Sequence, residues 1–459
     1  MLHFILERAL VSSAAIVAWS IRFSNSSAPQ TSLAPSRSLL SILDSFFLLS
    51  LIGIWLILLY WVFLSLGSIR YMETSKVDKS RLDGFQIAAE ELPFVSILIP
   101  AHNEALVIED TVRAVSTQEY PPHRFEVIVI NDGSSDGTGE IVRGLQREYQ
   151  QLICYDVPKG QGGKGKSRTL NAGMKIAKGS AICVFDADNT PNHDCLLLLV
   201  KTLLEQPNLV AVNAMVRTRN ANAGLLTRFI NLEFIYFQWL FQGGRWAWFK
   251  LSMLMGTGYL IWREALDILG GFDEKSLVDD TEISLRIFRG KRRIRWIPYA
   301  VTWEQEPDSF RVWRKQRTRW AMGNLAVTRK YLLPGLLNPY PLGLEILTFV
   351  FNYFIFVPSL LMSDGVFFIS LAGFGKISIP GPYLQLWVIS LLVYVIQMSF
   401  FIYQEDNRIS NYFLALLSYF TYAQLFIVIL ANAILAMGIQ KWKGSELHWV
   451  KTVRTREKP

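Results

Sequence analysis

Cysteine is scarce: Cys154, Cys183 and Cys195 are the only three in a chain of 459 residues. They lack the paired spacing of a metal ligand set. This excludes a disulfide scaffold or a zinc module and fits free thiols in a reducing compartment. Charge is sparse as well, at 18% of residues, and its absence is concentrated. Leu39–Leu66 carries one charge, Asp44, and the run from Ser45 carries none, which is long enough to cross a bilayer with tilt. Leu344–Leu371, Leu384–Tyr403 and Tyr412–Ile439 are further apolar runs. Phe4–Ile21 is shorter and interrupted by Glu7 and Arg8, so it reads as a spanning or an interfacial helix rather than a cleaved leader. A Ser/Pro-rich linker, Ser24–Ser38, follows it.

The apolar fraction is 51% and the mean hydropathy +0.26, both high for a soluble protein. Net charge is +8. A basic chain raises nucleic acid as a partner. Here the basic residues flank apolar runs, which suits an anionic cytoplasmic leaflet better. Arg70, Lys76, Lys79 and Arg81 follow the first clear span, so the positive-inside rule puts what comes next in the cytoplasm. The expected organisation is a membrane region over residues 1–70 with one or two helices, a cytoplasmic domain over 91–335, a second membrane region over 340–440 and a basic tail over 441–459. Three crossings after the central domain would put that tail outside. Either one segment is therefore interfacial, or Leu344–Leu371, broken at Pro358 and Asp364, is not a simple span.

The central domain alternates strand-like and helix-like stretches. Phe94–Pro100, Phe125–Asp132, Leu152–Val157 and Ala181–Phe185 read as buried strands, separated by helical patterns at Ala101–Gln118, Glu140–Glu148 and Lys166–Lys178. That alternation predicts a doubly wound parallel sheet, whose ligand sits beyond the carboxyl ends of its strands. Asn103 and Glu104, Asp132, and Asp186 with Asp188 fall at that edge. Two carboxylates on alternate positions can share a hard divalent cation with substrate phosphates. Further along, Leu209–Arg219 reads as extended. Leu225–Lys250, with Trp239, Trp246 and Trp248, reads as a helix of the core or of the headgroup region. Met255–Trp262 reads as a strand in which Gly256 or Gly258 marks close approach to a ligand. Asp279 and Asp280 open a helix, either as dipole-favoured caps or as a general base with a carboxylate neighbour. Ser309–Trp320 crowds Arg311, Arg314, Lys315, Arg317 and Arg319 with Trp313 and Trp320, the pattern of an amphipathic helix on the membrane face. Gln316, Arg319 and Trp320 share one face of it.

Gly160–Ser167 reads GQGGKGKS, a full match to the nucleoside-triphosphate P-loop, and Ala181–Asp186 imitates the partner strand. A membrane-coupled NTPase is the alternative of a different class. It ranks lower because two βα units precede the loop and the acids beyond residue 270 are left without a task.

The set Ile130-Asn-Asp132-Gly-Ser, Phe185-Asp-Ala-Asp188, Val278-Asp-Asp280 and Gln316-Arg-Thr-Arg-Trp320 resembles the family-2 membrane glycosyltransferases, which include cellulose, hyaluronan and poly-N-acetylglucosamine synthases. The resemblance runs over about residues 94–324 and implies a GT-A-like domain, Rossmann-like with a mostly parallel sheet, flanked by α-helical transmembrane segments. It implies that Ala101, Glu104, Asp132, Lys166, Asp186, Gln316 and Arg319 bind the nucleotide sugar and that Asp188 ligates Mg²⁺ or Mn²⁺. Asp280 becomes the base. Gly256, Thr257 and Trp320 meet the acceptor, and the loop from Gly162 to Asn171 resembles the family's Gly-Gly-Lys…Leu-Asn segment, which accounts for the P-loop match. The implied activity is inverting transfer from UDP-glucose or UDP-N-acetylglucosamine to a β-linked polysaccharide. The alternative is non-processive transfer to a glycolipid such as glucosyl-diacylglycerol. Implied partners are the donor, a polysaccharide or lipid acceptor, the bilayer of a multi-pass cell-membrane protein and, optionally, an accessory membrane subunit. Nucleic acid is not among them. Where cellulose synthases carry Thr-Glu-Asp, this chain has Val278-Asp279-Asp280, which leaves donor and acceptor open.

Overall fold

The computed structural model describes residues 37–158, 160, 162–374, 377–379 and 381–443. The helix expected at Phe4–Ile21, most of the Ser24–Ser38 linker and the tail beyond residue 443 lie outside the described residues. The chain divides into two compact units, residues 1–63 with 347–432 and residues 64–346 with 433–459.

The larger unit is built on one eight-stranded sheet. Its strands are β1 (Val95–Ala101), β2 (Phe125–Asn131), β3 (Leu152–Asp156), β4 (Ala181–Val184), β5 (Thr190–Pro191), β6 (Leu209–Thr218), β7 (Tyr259–Trp262) and β8 (Arg293–Glu304). The spatial order is β3-β2-β1-β4-β7-β6-β8-β5. Strands β3, β2, β1 and β4 are mutually parallel, in agreement with the apolar runs that predict them. Ile97, Leu98 and Ile99 on β1 and Val127 to Ile130 on β2 are fully buried. Burying each such side chain stabilises the fold by about 1.5–3 kcal/mol. The sheet is mixed rather than wholly parallel, because β7 runs antiparallel to both β4 and β6, and β5 antiparallel to β8. Only Tyr259–Trp262 of the expected Met255–Trp262 strand pairs; the four residues before it form a loop with Gly256 and Gly258 at positive φ. The sequence reading did not anticipate β8, whose alternation is obscured by Arg293, Arg295 and Pro298.

The helices run in order as α1 (Arg37–Gly84), α2 (Ile108–Ser116), α3 (Thr138–Leu145), α4 (Lys166–Met174) and α5 (Cys195–Glu205). Next, α6 (Leu225–Phe237) runs through a π-helical turn at Gln238–Gly244 into α7 (Arg245–Phe249). Trp239 and Trp246 are buried there, so this stretch is core packing in the larger unit. A Cβ at Gly244 would come within 2.4 Å of the Leu64 carbonyl, and Ser68 donates to the Trp239 carbonyl at 2.6 Å. That close approach requires glycine, and the extra residue of the π turn aims it at α1. Helix α8 (Arg263–Leu269) is followed by α9 (Asp279–Arg289) and α10 (Phe310–Leu337). On α10, Trp313 and Arg317 turn inward, while Arg311, Arg314 and Lys315 stay exposed.

The described residues of the smaller unit are helical. Among the described residues, four helices are long and apolar enough to cross a membrane: Ile42–Gly84, Pro339–Ser370, Gln385–Glu405 and Leu425–Trp442. The run at Tyr412–Ile439 is not one segment. It breaks after Phe420 into Ile409–Phe420 and Leu425–Lys443, and twelve residues are too few to span.

Candidate active site

The carboxyl edge of the parallel half collects the predicted acids. The chain leaves β2 in one direction and β4 in the other, so β1 and β4 flank a topological switch point. Ala101 ends β1 fully buried, and its carbonyl accepts the Asp132 N–H at 2.8 Å. Glu104 opens the following turn, its N–H donating to Thr138 Oγ1 at 2.8 Å. Beside Asp132 lies a cavity of about 580 Å³, lined also by Tyr155, Arg168, Asn171 and Glu274. A Cβ on Gly162 would sit 2.9 Å from the Asp132 carbonyl carbon, so the glycine loop closes tightly on this strand end.

One strand over, the acids meet a lysine. Lys166, at the first turn of α4, contacts Asp186 Oδ1 at 2.6 Å, donates to the Gly256 carbonyl at 2.7 Å and lies 3.9 Å from Asp279. Burial alone pulls this ammonium down. Asp186, then Asp279 and Asp280, outweigh that and hold it above its ordinary value, so it stays charged. Thr257 accepts the Asp186 N–H at 3.0 Å and is itself buried, so it fixes the end of β4. Asp280 accepts the Thr281 N–H at 2.7 Å at the start of α9. Burial pushes its carboxyl up to about 7, and the charge on Asp279 adds to this. Lys166 opposes the shift, with smaller help from the Thr281 N–H and Arg319. Burial, which the sequence reading did not weigh, is the larger cause, and the neighbouring carboxylate adds to it.

Gly256 lies between these groups. Its φ is +82°, and a Cβ there would be 3.3 Å from Asp280 Oδ2 and 3.9 Å from Lys166 Nζ. The left-handed backbone costs another residue about 1–2 kcal/mol. Gly256→Ala is therefore expected to melt lower and, by displacing Asp280, to slow turnover about 10²-fold. Single-turnover rates and a melting curve check this, and an unchanged rate would detach Gly256 from the site.

Helix α10 closes the other side. A Cβ on Gly323 would collide with Val278 Cγ1 at 2.6 Å, so α10 lies directly on the loop before Asp279. Arg319 donates to the Leu277 carbonyl at 3.0 Å. Gln316 is buried and accepts from Arg317 at 3.0 Å; Arg317 also pairs with Glu233 at 2.9 Å and lies 4.1 Å over the Trp320 ring. The sequence reading missed Glu233 and saw Arg317 only as one of five basic residues.

Among the described residues, no group of three or more His, Cys, Asp or Glu side chains forms a complete metal cage. Asp186, 26% exposed and ion-paired with Lys166, and the buried Asp188 stand one residue apart just beyond β4. Such a pair fits Mg²⁺ or Mn²⁺, which are held through one or two carboxylates plus substrate phosphates.

Residues 93–323 match the family described as glycosyltransferase like family 2. The chain belongs to glycosyltransferase family 2. The Bacillus subtilis protein named probable glycosyltransferase YdaM is 38% identical over 414 residues, 90% of this chain and 98% of its own. A beta-monoglucosyldiacylglycerol synthase of Trichormus variabilis is 36% identical over 50% of this chain and 49% of its own. A poly-beta-1,6-N-acetyl-D-glucosamine synthase of Staphylococcus aureus is 28% identical over 58% and 62%. The solved mannosyltransferase of Pyrobaculum calidifontis, in complex with GDP-Man and Mn²⁺, covers 78% of this chain and 98% of its own at TM-score 0.52 and 21% identity, which shows the GT-A-like fold. The protein is a glycosyltransferase.

The NTPase alternative falls with this assignment, and the topology tells against it too. A P-loop usually follows its sheet's first strand, whereas this loop follows β3, an edge strand.

Proposed function

We propose that the enzyme transfers glucose or N-acetylglucosamine from its UDP donor, with inversion, to a growing β-linked polysaccharide at the membrane. The observation that supports this reading is the half-buried Asp280, its carboxyl pushed up to about 7, with the Gly256 backbone against its Oδ2 and Lys166 engaged with Asp186 and near Asp279. Asp132, with Ala101 and Glu104 as further contacts, binds the nucleoside, for which the cavity beside Asp132 gives room. Lys166, Gln316 and Arg319 bind the diphosphate and Asp186 the donor sugar. Gly256, Thr257 and Trp320 form the acceptor side, where an indole face suits a sugar ring. Asp280 takes the acceptor hydroxyl proton. The oxygen bonds to the anomeric carbon from the face opposite the phosphate, and the bond to the diphosphate breaks, with its electron pair leaving on UDP. A divalent cation on Asp188 supplies charge neutralisation to that diphosphate when bound.

Arg70, Lys76, Lys79 and Arg81 support a cytoplasmic position for the domain over 91–335, between membrane regions 1–70 and 340–440. Nothing observed supports an accessory subunit. The 36% identity to a glucosyldiacylglycerol synthase favours a second reading, in which a lipid hydroxyl takes the sugar. Membranes given radiolabelled UDP-glucose or UDP-N-acetylglucosamine separate the two. Label in high-mass polymer is the expected result; label in the chloroform phase would replace it with the lipid reading. Absence of transfer from both donors would overturn the donor assignment.

A further inference from the structure

Asp280 is aligned by backbone held from two sides. The segment from Leu269 to Glu274 leads into α9 and carries Gly270 and Gly271 at positive φ, so it has no regular hydrogen-bond ladder of its own. Arg286, from within α9, donates to the carbonyls of Leu269 at 2.7 Å and Gly271 at 2.8 Å. On the opposite side, Asn171 of α4 makes a two-point clamp. Its Oδ1 accepts the Phe272 N–H at 2.9 Å, and its Nδ2 donates to the Phe272 carbonyl at 2.9 Å and to Glu274 Oε1 at 3.1 Å. The peptide's own donor and acceptor dictate which way this amide faces. A Cβ on Gly271 would come within 2.8 Å of Asn171 Oδ1, so the glycine admits the clamp. Five residues earlier on α4, Lys166 reaches Asp186 and Gly256. One short helix thus grips the donor side at its first turn and the approach to the base at its second.

We propose that Asn171 is a positioning residue for Asp280, fixing the Gly271–Glu274 backbone so that α9 delivers its carboxylate to the acceptor. This rests on the assignment of Asp280 as base. A rival role exists, because Asn171 also lines the cavity beside Asp132 and could hold the nucleotide instead. Kinetics of the detergent-solubilised full chain distinguish them. Asn171→Ala is expected to lower kcat about 10²-fold, the scale of a misplaced reacting group, with donor KM and UDP affinity by calorimetry unchanged. Asn171→Asp keeps size and the acceptor for the Phe272 N–H, but sets a carboxylate against Glu274. Adding Glu274→Gln restores a donor across that contact and is expected to recover part of the lost kcat. UDP affinity falling in step with kcat would make Asn171 a donor ligand. An unchanged kcat, or no recovery in the double variant, would remove the clamp. If the wild-type chain transfers from no nucleotide sugar, the functional assignment fails rather than the clamp.

Discussion

Asp280→Asn lowers transfer about 10³-fold while UDP binding persists, the loss expected when a positioned general base is removed. The nucleoside cavity and the diphosphate groups lie on other elements, so the donor still docks. A second signature comes from proton affinity. With its carboxyl near 7, Asp280 is half protonated at neutral pH, and kcat/KM should climb on an acid limb centred near that value. Lys166 is the largest influence pulling it down, so Lys166→Met should move the limb to higher pH as well as slow the reaction. A limb that stays put would disconnect the two groups. Stability carries the same information with the opposite sign. The folded value lies above the ordinary 3.8, so the stability Asp280 contributes is full below that pH and is lost as pH rises through about 7. Asp280→Asn cannot ionise and should melt higher than wild type at pH 8, with the gap closing toward pH 4. A variant that is dead, binds UDP and melts higher is what a strained catalytic carboxylate predicts.

The parallel half of the fold was legible because each strand is a short apolar run between helical patterns. Phe125–Asn131 needs no partner to be recognised as buried strand. β8 was not legible, since Arg293, the buried Arg295 and Pro298 hide its alternation, and Tyr259–Trp262 hides its antiparallel direction, which depends on pairing with the distant Ala181–Val184. The candidate site divides in the same way. Carboxylates at strand ends and the Gln316–Trp320 face announce themselves by residue type and spacing. Asn171, Arg317 and Glu282 do not, because what they do lies in contacts made across the fold. Glu282, for instance, is buried and takes Lys330 at 2.8 Å and Tyr331 at 2.7 Å from α10, tying the base helix to the arginine helix. A glutamate three residues into a helix looks like a dipole partner and nothing more.

Chelating divalent cations should stop transfer, with Mn²⁺ or Mg²⁺ restoring it, and Asp188→Asn should raise the concentration needed for half-recovery. The reason is charge. Lys166 and Arg319 are the cations the described contacts bring to Asp186, Asp279 and Asp280, and Lys166 is already engaged with Asp186. An incoming diphosphate adds more negative charge, and at a separation of 4 Å each like-charged pair costs about 4 kcal/mol at an effective dielectric of 20. The donor therefore needs added positive charge to enter and to leave as UDP. Asp186 and Asp188, one residue apart after β4, are carboxylates of the kind that share a cation with phosphate oxygens. Losing several kcal/mol of charge stabilisation puts the chelated enzyme at least about 10²-fold below wild type. Membranes treated with EDTA and then titrated with MnCl₂, wild type beside Asp188→Asn, measure both effects. Full transfer after chelation would mean that Lys166, Gln316 and Arg319 suffice, and equal half-recovery concentrations would move the cation off Asp188.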